Sequence, residues 1–136
     1  MPRWNRSQKY RARDRVLYAL LFSGGFCYIG QTVNPRQREA QHRLPSGGWH
    51  QHFRFVPLGV CHGTQAQASD HERAWRLAAV AHGWRVFAKP PGIVCNPYRQ
   101  ASLRHRVLSW SLRWSWPRRH SRKLIWRIWN FFCRRP

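Results

Sequence analysis

Acidic residues are nearly missing from this chain. Four Asp and Glu stand against 25 Lys and Arg in 136 residues, a formal charge of +21. That imbalance points to a polyanionic partner, nucleic acid first and an anionic membrane surface second. It also leaves few candidates for any carboxylate chemistry. Paired cysteines are missing as well. Cys27, Cys61, Cys95 and Cys133 are far apart and form no Cys-x-x-Cys, so even with eight His available the spacing asks for no zinc site. They read as isolated buried thiols of a reducing cytoplasm. No apolar run approaches the roughly 18 residues of a membrane span. "VLYALLF" after a basic start imitates a secretion signal, but it breaks at "SGG" and no small-x-small cleavage site follows. A cytoplasmic protein is therefore expected. There is no internal repeat, and no zinc finger or other base-reading motif.

Enough apolar content is present, at 43%, to build a packed core. The charge is unevenly spread. Residues 1–14 carry a net +4, residues 15–98 a net +6, and residues 99–136 a net +11 with five of the nine Trp. This divides the chain into a basic N-terminal arm (1–14), a globular middle (15–98) and a basic aromatic C-terminal extension (99–136).

Within the middle, "RVLYALLF" (15–22) and "FCYIGQ" (26–31) flank "SGG" and predict a β-hairpin. A two-residue loop would pair Tyr28 with Leu21 and separate the tyrosines. A three-residue loop pairs Tyr28 with Leu20 and Tyr18 with Gly30, placing both tyrosines on one face. Gly30 would then leave room for the Tyr18 ring. "NPRQREAQHRL" predicts a helix capped by Asn34, with Pro35 in its first turn and Pro45 stopping it. Arg38 and His42 share one face of it, and Glu39 and Arg43 pair on another. "FRFVPLGVC" (53–61) predicts a third strand, with Pro57 marking an edge or a bulge. "SDHERAWRLAAVAHG" (69–83) predicts a helix with Ser69 as cap, Glu72 at the capping-box position and Gly83 past its end. "WRVFA" offers a short strand or an extended packing segment before "KPPG".

Tyr18 in "VLY", Tyr28-Ile29-Gly30, Arg38, His42 and Glu72 follow one another at a spacing that resembles the GIY-YIG nuclease superfamily. The resemblance covers about residues 15–90 and extends to "E-x-x-W" with Gly83 eleven residues after Glu72. It implies an α+β fold with a small three-stranded antiparallel sheet flanked by helices, in agreement with the elements read above. The implied activity is metal-dependent endonuclease cleavage of nucleic acid, DNA ahead of RNA, with one Mg2+ or Mn2+ held by Glu72. Such hydrolysis needs an activated water, cationic density on the scissile phosphate and help for the leaving oxygen. Arg38 offers a donor fork for phosphate oxygens, and Glu72 a hard oxygen ligand. A phenol serves as base only if nearby cations lower its pKa from about 10. Tyr18 is taken as that base, with Tyr28 and His42 positioning water or phosphate. Taken singly, each residue has a plainer role: strand aromatics for the tyrosines, a solvated helix residue for Arg38, a capping-box acid for Glu72.

Two positions depart from the family pattern. "VLY" stands where Gly-Ile-Tyr is usual, and Ala88 stands where an Asn is usual, with Asn96 a possible replacement in space. In the extension, Leu103, Val107, Trp110 and Trp114, and again Ile125, Ile128, Trp129 and Phe132, fall at helical spacing. Interleaved Arg and Trp suit phosphates and unstacked bases, which favours single strands or distorted duplex. The same residues would also suit a membrane headgroup region, or packing of the apolar faces on the globular middle. Arg36, Arg43, Arg113, Arg118, Arg119, Arg122 and Lys123 are the candidate nucleic-acid contacts. Two alternatives to the endonuclease follow: a non-catalytic nucleic-acid-binding protein on a degenerate nuclease fold, and a cationic membrane-active protein.

Overall fold

The computed structural model describes residues 10–117. It is an α+β fold. Strands β1 (Arg13–Phe22), β2 (Phe26–Thr32), β3 (Phe53–Gly63), β4 (Arg85–Lys89) and β5 (Ile93–Val94) form one sheet in the order β3-β1-β2-β4-β5. Helices α1 (Pro35–Arg43), α2 (Gln65–Ala81) and α3 (Leu103–Leu112) cover it. The three-stranded antiparallel sheet expected from the sequence is thus too small. β1 pairs antiparallel with both β2 and β3, but β4 joins β2 in parallel and β5 extends the sheet further. "RVFAK" supplies β4 because Val86 and Phe87 are buried on opposite faces, which only a strand inside the sheet achieves.

The β1–β2 register is the one a three-residue loop dictates: Tyr18 lies opposite Gly30 and Leu20 opposite Tyr28. β1 is central and buried on both faces, so alternation sorts its side chains. Leu17, Ala19 and Leu21 face α2, where Trp75, Ala78 and Ala79 pack against them. Tyr18, Leu20 and Phe22 face an aromatic layer containing Trp49, Phe55 and Phe87. β3 is an edge strand and carries a bulge between the pairs Leu17–Gly59 and Tyr18–Pro57. Both readings of Pro57 are therefore met at once.

Asn34 caps α1 by accepting from the Gln37 amide, and Pro35 occupies the first turn. α2 begins earlier than expected. Thr64, not Ser69, is its cap, and Gln67, not Glu72, completes the capping box. Thr64-x-x-Gln and Ser69-x-x-Glu fit the same pattern, and the chain uses the first. Ser69 is interior to the helix, where its hydroxyl donates to the Gln65 carbonyl at 2.9 Å. The far end follows the sequence. Gly83 takes φ +82°, and the Gly83 and Trp84 amides close back on Val80 and Ala79 at 3.0 Å each. Among the described residues no helix is long and apolar enough to cross a membrane.

Candidate active site

The site is built around the Tyr18 hydroxyl. Tyr18 is 0% exposed, stacked on Phe55 with ring centroids 4.7 Å apart. α1 brings Arg38 and His42, one turn apart, onto this one oxygen: Arg38 Nε donates at 3.3 Å, and His42 Nε2 lies 2.8 Å away. Tyr28 joins from β2, its ring centroid 6.5 Å from that of Tyr18 and 5.7 Å from that of His42. Tyr28 is half-buried, so of the two phenols it is the one with access to solvent.

His42 has a second contact that settles its proton. Trp49 Nε1 donates to His42 Nδ1 at 3.2 Å. An indole N–H only donates, so Nδ1 must be bare, and a neutral imidazole then carries its hydrogen on Nε2. Burial first, and the Arg38 charge second, lower the His42 pKa to about 4, which keeps the ring neutral near pH 7. His42 therefore donates to Tyr18. With Arg38 donating as well, the Tyr18 oxygen accepts two N–H groups. Trp49 reaches this position because Pro45–Gly47 forms a tight 3-10 turn and Gly48, at φ +81°, reverses the chain after it. The sequence held a signal for this: a Pro-Ser-Gly-Gly turn followed by a large aromatic.

Neither phenol has the lowered pKa that a base would need. Burial raises the Tyr18 pKa strongly, and Arg38 offsets only part of that shift. Burial also raises Tyr28, the Glu72 charge adds to it, and Arg38 opposes. Cations are plentiful in the chain, but desolvation outweighs Arg38 at Tyr18, and Arg38 and Arg76 together at Tyr28. The lowering of the Tyr18 pKa by nearby cations, expected from the charge count, is not met in this arrangement.

Glu72 projects from α2 beside the sheet. Its Oε1 accepts from Arg76 Nη2 and its Oε2 from Gln31 Nε2, each at 3.1 Å. Both Glu72 and Arg76 side chains are 17% exposed. Burial raises the Glu72 pKa, while Arg76, the Gln31 hydrogen bond, Arg73 and Arg38 lower it. Its field reaches Tyr18, Tyr28 and Arg38. All five candidate site residues are thus electrostatically joined, and Glu72 is free of the capping role. Gln31 and Arg76, which hold it, were not singled out by sequence.

Among the described residues no group of three or more His, Cys, Asp or Glu gathers at a metal-binding distance. A magnesium ion is commonly held by one or two carboxylates plus substrate phosphate and water. Glu72 keeps unused lone pairs on both oxygens, and the neighbouring Gln31 Oε1 is buried without a hydrogen-bond partner. These hard oxygens fit such an ion in type.

Of the remaining candidates, Arg36 is exposed on α1, whereas Arg43 is bonded to Glu39 at 2.8 Å and lies over Phe53. Arg113 lies over the Trp110 ring, 5.4 Å from its centroid. Arg118, Arg119, Arg122 and Lys123, the helical spacing of residues 125–132 and most of the N-terminal arm lie outside the described residues. Ala88 is exposed near the end of β4. The side-chain oxygen of Asn96 caps the 3-10 turn Pro97–Gln100 by accepting from the Tyr98 amide at 3.1 Å. Compared with protein-family models, curated proteins and solved structures, the chain finds no match in any of the three.

Proposed function

We propose that the chain is a metal-dependent endonuclease of the GIY-YIG type that hydrolyses phosphodiester bonds in nucleic acid, DNA ahead of RNA. The reading is carried by one observation: Arg38 and His42 converge on the Tyr18 oxygen within 3.3 Å, with Glu72 and Tyr28 in the same electrostatic field. Arg38, a donor fork partly open to solvent, binds the scissile phosphate. Tyr18 and His42 orient Arg38 rather than exchange protons with substrate. Tyr28, half-exposed and held protonated by burial and by Glu72, donates to a phosphate oxygen or to water. Glu72, with Gln31 beside it, would hold a Mg2+ or Mn2+ ion. When bound, such an ion lowers the pKa of a coordinated water and stabilises charge on the phosphate.

A non-catalytic nucleic-acid-binding protein is the second reading. It is favoured by Ala88, which supplies no amide, together with the commitment of Asn96 to its own turn. The two separate on incubation of the full chain with plasmid DNA, single-stranded DNA and RNA in magnesium, manganese or EDTA. Cleavage is expected with metal and is expected to vanish in EDTA, in Arg38→Ala and in Glu72→Gln. Cutting that survives both EDTA and Glu72→Gln would sink the proposed mechanism. Salt-sensitive binding without turnover in either metal would establish the second reading.

A further inference from the structure

Helix α3 is mounted with its apolar face outward. Leu103, Val107 and Trp110 recur at helical spacing, and Trp114 extends the stripe into the following 3-10 turn, Arg113–Ser115. They are 77%, 65%, 67% and 86% exposed. The opposite face, which mixes His105 and Ser109 with Leu112, makes the contact with α2 and the core. His105 and Ser109 are buried there, His105 Nε2 bonded to Asp70 Oδ1 at 2.7 Å, with Arg104 on Asp70 Oδ2 at 2.8 Å. Trp116 then turns inward against Trp75 and Trp84. The contact is specific, so the outward stripe is a consequence of how α3 is held and not of a helix lying loose.

We propose that this face is a docking surface for single-stranded nucleic acid, with bases stacking on Trp110 and Trp114 and phosphates meeting Arg106 and Arg113. Charge complementarity selects the occupant. Each of the four acids of the chain already accepts from a basic side chain: Asp14 from His62, Glu39 from Arg43, Asp70 from His105 and Arg104, Glu72 from Arg76. The surface therefore presents positive charge without acids to balance it. The arginines are placed beside aromatic faces, Arg113 over Trp110 at 5.4 Å and Arg106 over Tyr98 at 5.9 Å. Alternating guanidinium and ring is the arrangement that neutralises a backbone while offering π-faces to unstacked bases. In an intact duplex those faces are unavailable, which limits it to phosphate contacts.

The position matters for the site as well. Asp70, which anchors α3, stands two residues before Glu72 on α2, so the stripe is carried by the same helix that carries the carboxylate. The proposal rests on the nucleic-acid partner of the reading above but not on cleavage.

The test is fluorescence anisotropy of the full chain in EDTA with a labelled oligothymidine and with a duplex of equal length, each over a salt series. The double variant W110A/W114A is expected to bind the single strand about 10- to 100-fold more weakly, with duplex affinity changed less than about threefold. W110F/W114F is expected to recover most of the loss. Unchanged single-strand affinity in W110A/W114A, with the fold intact by circular dichroism, would overturn the proposal. So would equal losses for single strand and duplex. Two further outcomes would reassign the surface: variant-sensitive binding to vesicles of phosphatidylserine and phosphatidylcholine without any effect on oligothymidine, or a variant-sensitive dimer. Failure of the cleavage assay leaves this measurement unaffected, and failure here leaves the cleavage assay unaffected.

Discussion

Replacing Gly30 by Ala isolates the steric logic of the site. The Gly30 backbone is not left-handed, so alanine is conformationally permitted there. Without a clash, Gly→Ala in such a position stabilises by about 0.4–1 kcal/mol through the unfolded chain. With the Tyr18 ring opposite, an added Cβ would lie 2.5 Å from Oη, 2.7 Å from Cζ and 3.2 Å from Cε1. Tyr18 cannot step aside without cost, being stacked on Phe55 and bonded to Arg38 and His42. Overpacking of this kind costs about 1–3 kcal/mol, so the sign of the effect reverses. In thermal unfolding that is a drop of about 3–5 °C per kcal/mol for a chain of this length. Gly59→Ala is the internal control, since its Cβ would meet only Trp75 Cζ2, at 3.9 Å. Urea denaturation of G30A, G59A, Y18L and the double variant Y18L/G30A measures all four. Loss in G30A, near-neutrality in G59A and relief of the loss in Y18L/G30A relative to Y18L are expected. A G30A protein as stable as wild type would refute the claim that Gly30 is there for the Tyr18 ring.

Other consequences follow from the same geometry. His42 is buried and neutral with a pKa of about 4 against about 6.5 unfolded, so the unfolded chain binds the extra proton first as pH falls; stability on the order of 3 kcal/mol is lost between those values, and His42→Gln is expected to flatten that slope in urea titrations at stepped pH. Trp49→Phe removes the N–H that fixes His42 Nδ1; it is expected to cost about 1 kcal/mol and to convert the single His42 tautomer into a mixture in 15N NMR, and an unchanged tautomer would refute the lock. Asp70→Ala removes the acceptor of the buried His105, and faster amide exchange confined to residues 103–112, with the sheet still protected, is expected; unchanged exchange at 103–112 would show that α3 is held by other contacts.

The parts legible in the sequence are those decided locally. The hairpin register follows from loop length and period, and the α1 cap from Asn34-Pro35, both within a few residues of their effects. The pairing of β2 with β4 brings residues 26–28 to 85–87, and no local pattern announces that a parallel strand will join there. The α2 cap is illegible for a different reason: two capping boxes five residues apart compete, and propensity, which places Ser above Thr, favours the one the chain does not use. Periodicity located the helix within residues 103–114 but not its orientation. The orientation is set by contacts across the sequence, Asp70–His105 over 35 positions and Leu112 on the core, which outweigh the longer apolar stripe left outside. Trp49 was missed because a loop residue has no period to betray its burial. The tyrosine pKa values were misjudged because counting charges ignores desolvation, which is a property of depth.

The scarcity of acids explains why the candidate chemistry can centre in one place only. Asp14, 45% exposed, and Glu39, in an i,i+4 pair with a half-exposed Arg43, are solvated ion pairs worth little to any site. Asp70 is committed on both oxygens to the basic groups that mount α3. Glu72 differs from all of these. It is screened from water, one oxygen faces a cation and the other a neutral amide, and its charge is felt by both phenols and by Arg38. Burial raises its pKa above the ordinary carboxylate value, and Arg76, the Gln31 amide, Arg73 and Arg38 offset only part of that rise. On the proposed reading a polyanion would meet these arginines beside the one acid that burial screens from water, and the Gln31 oxygen left without a partner lies beside it.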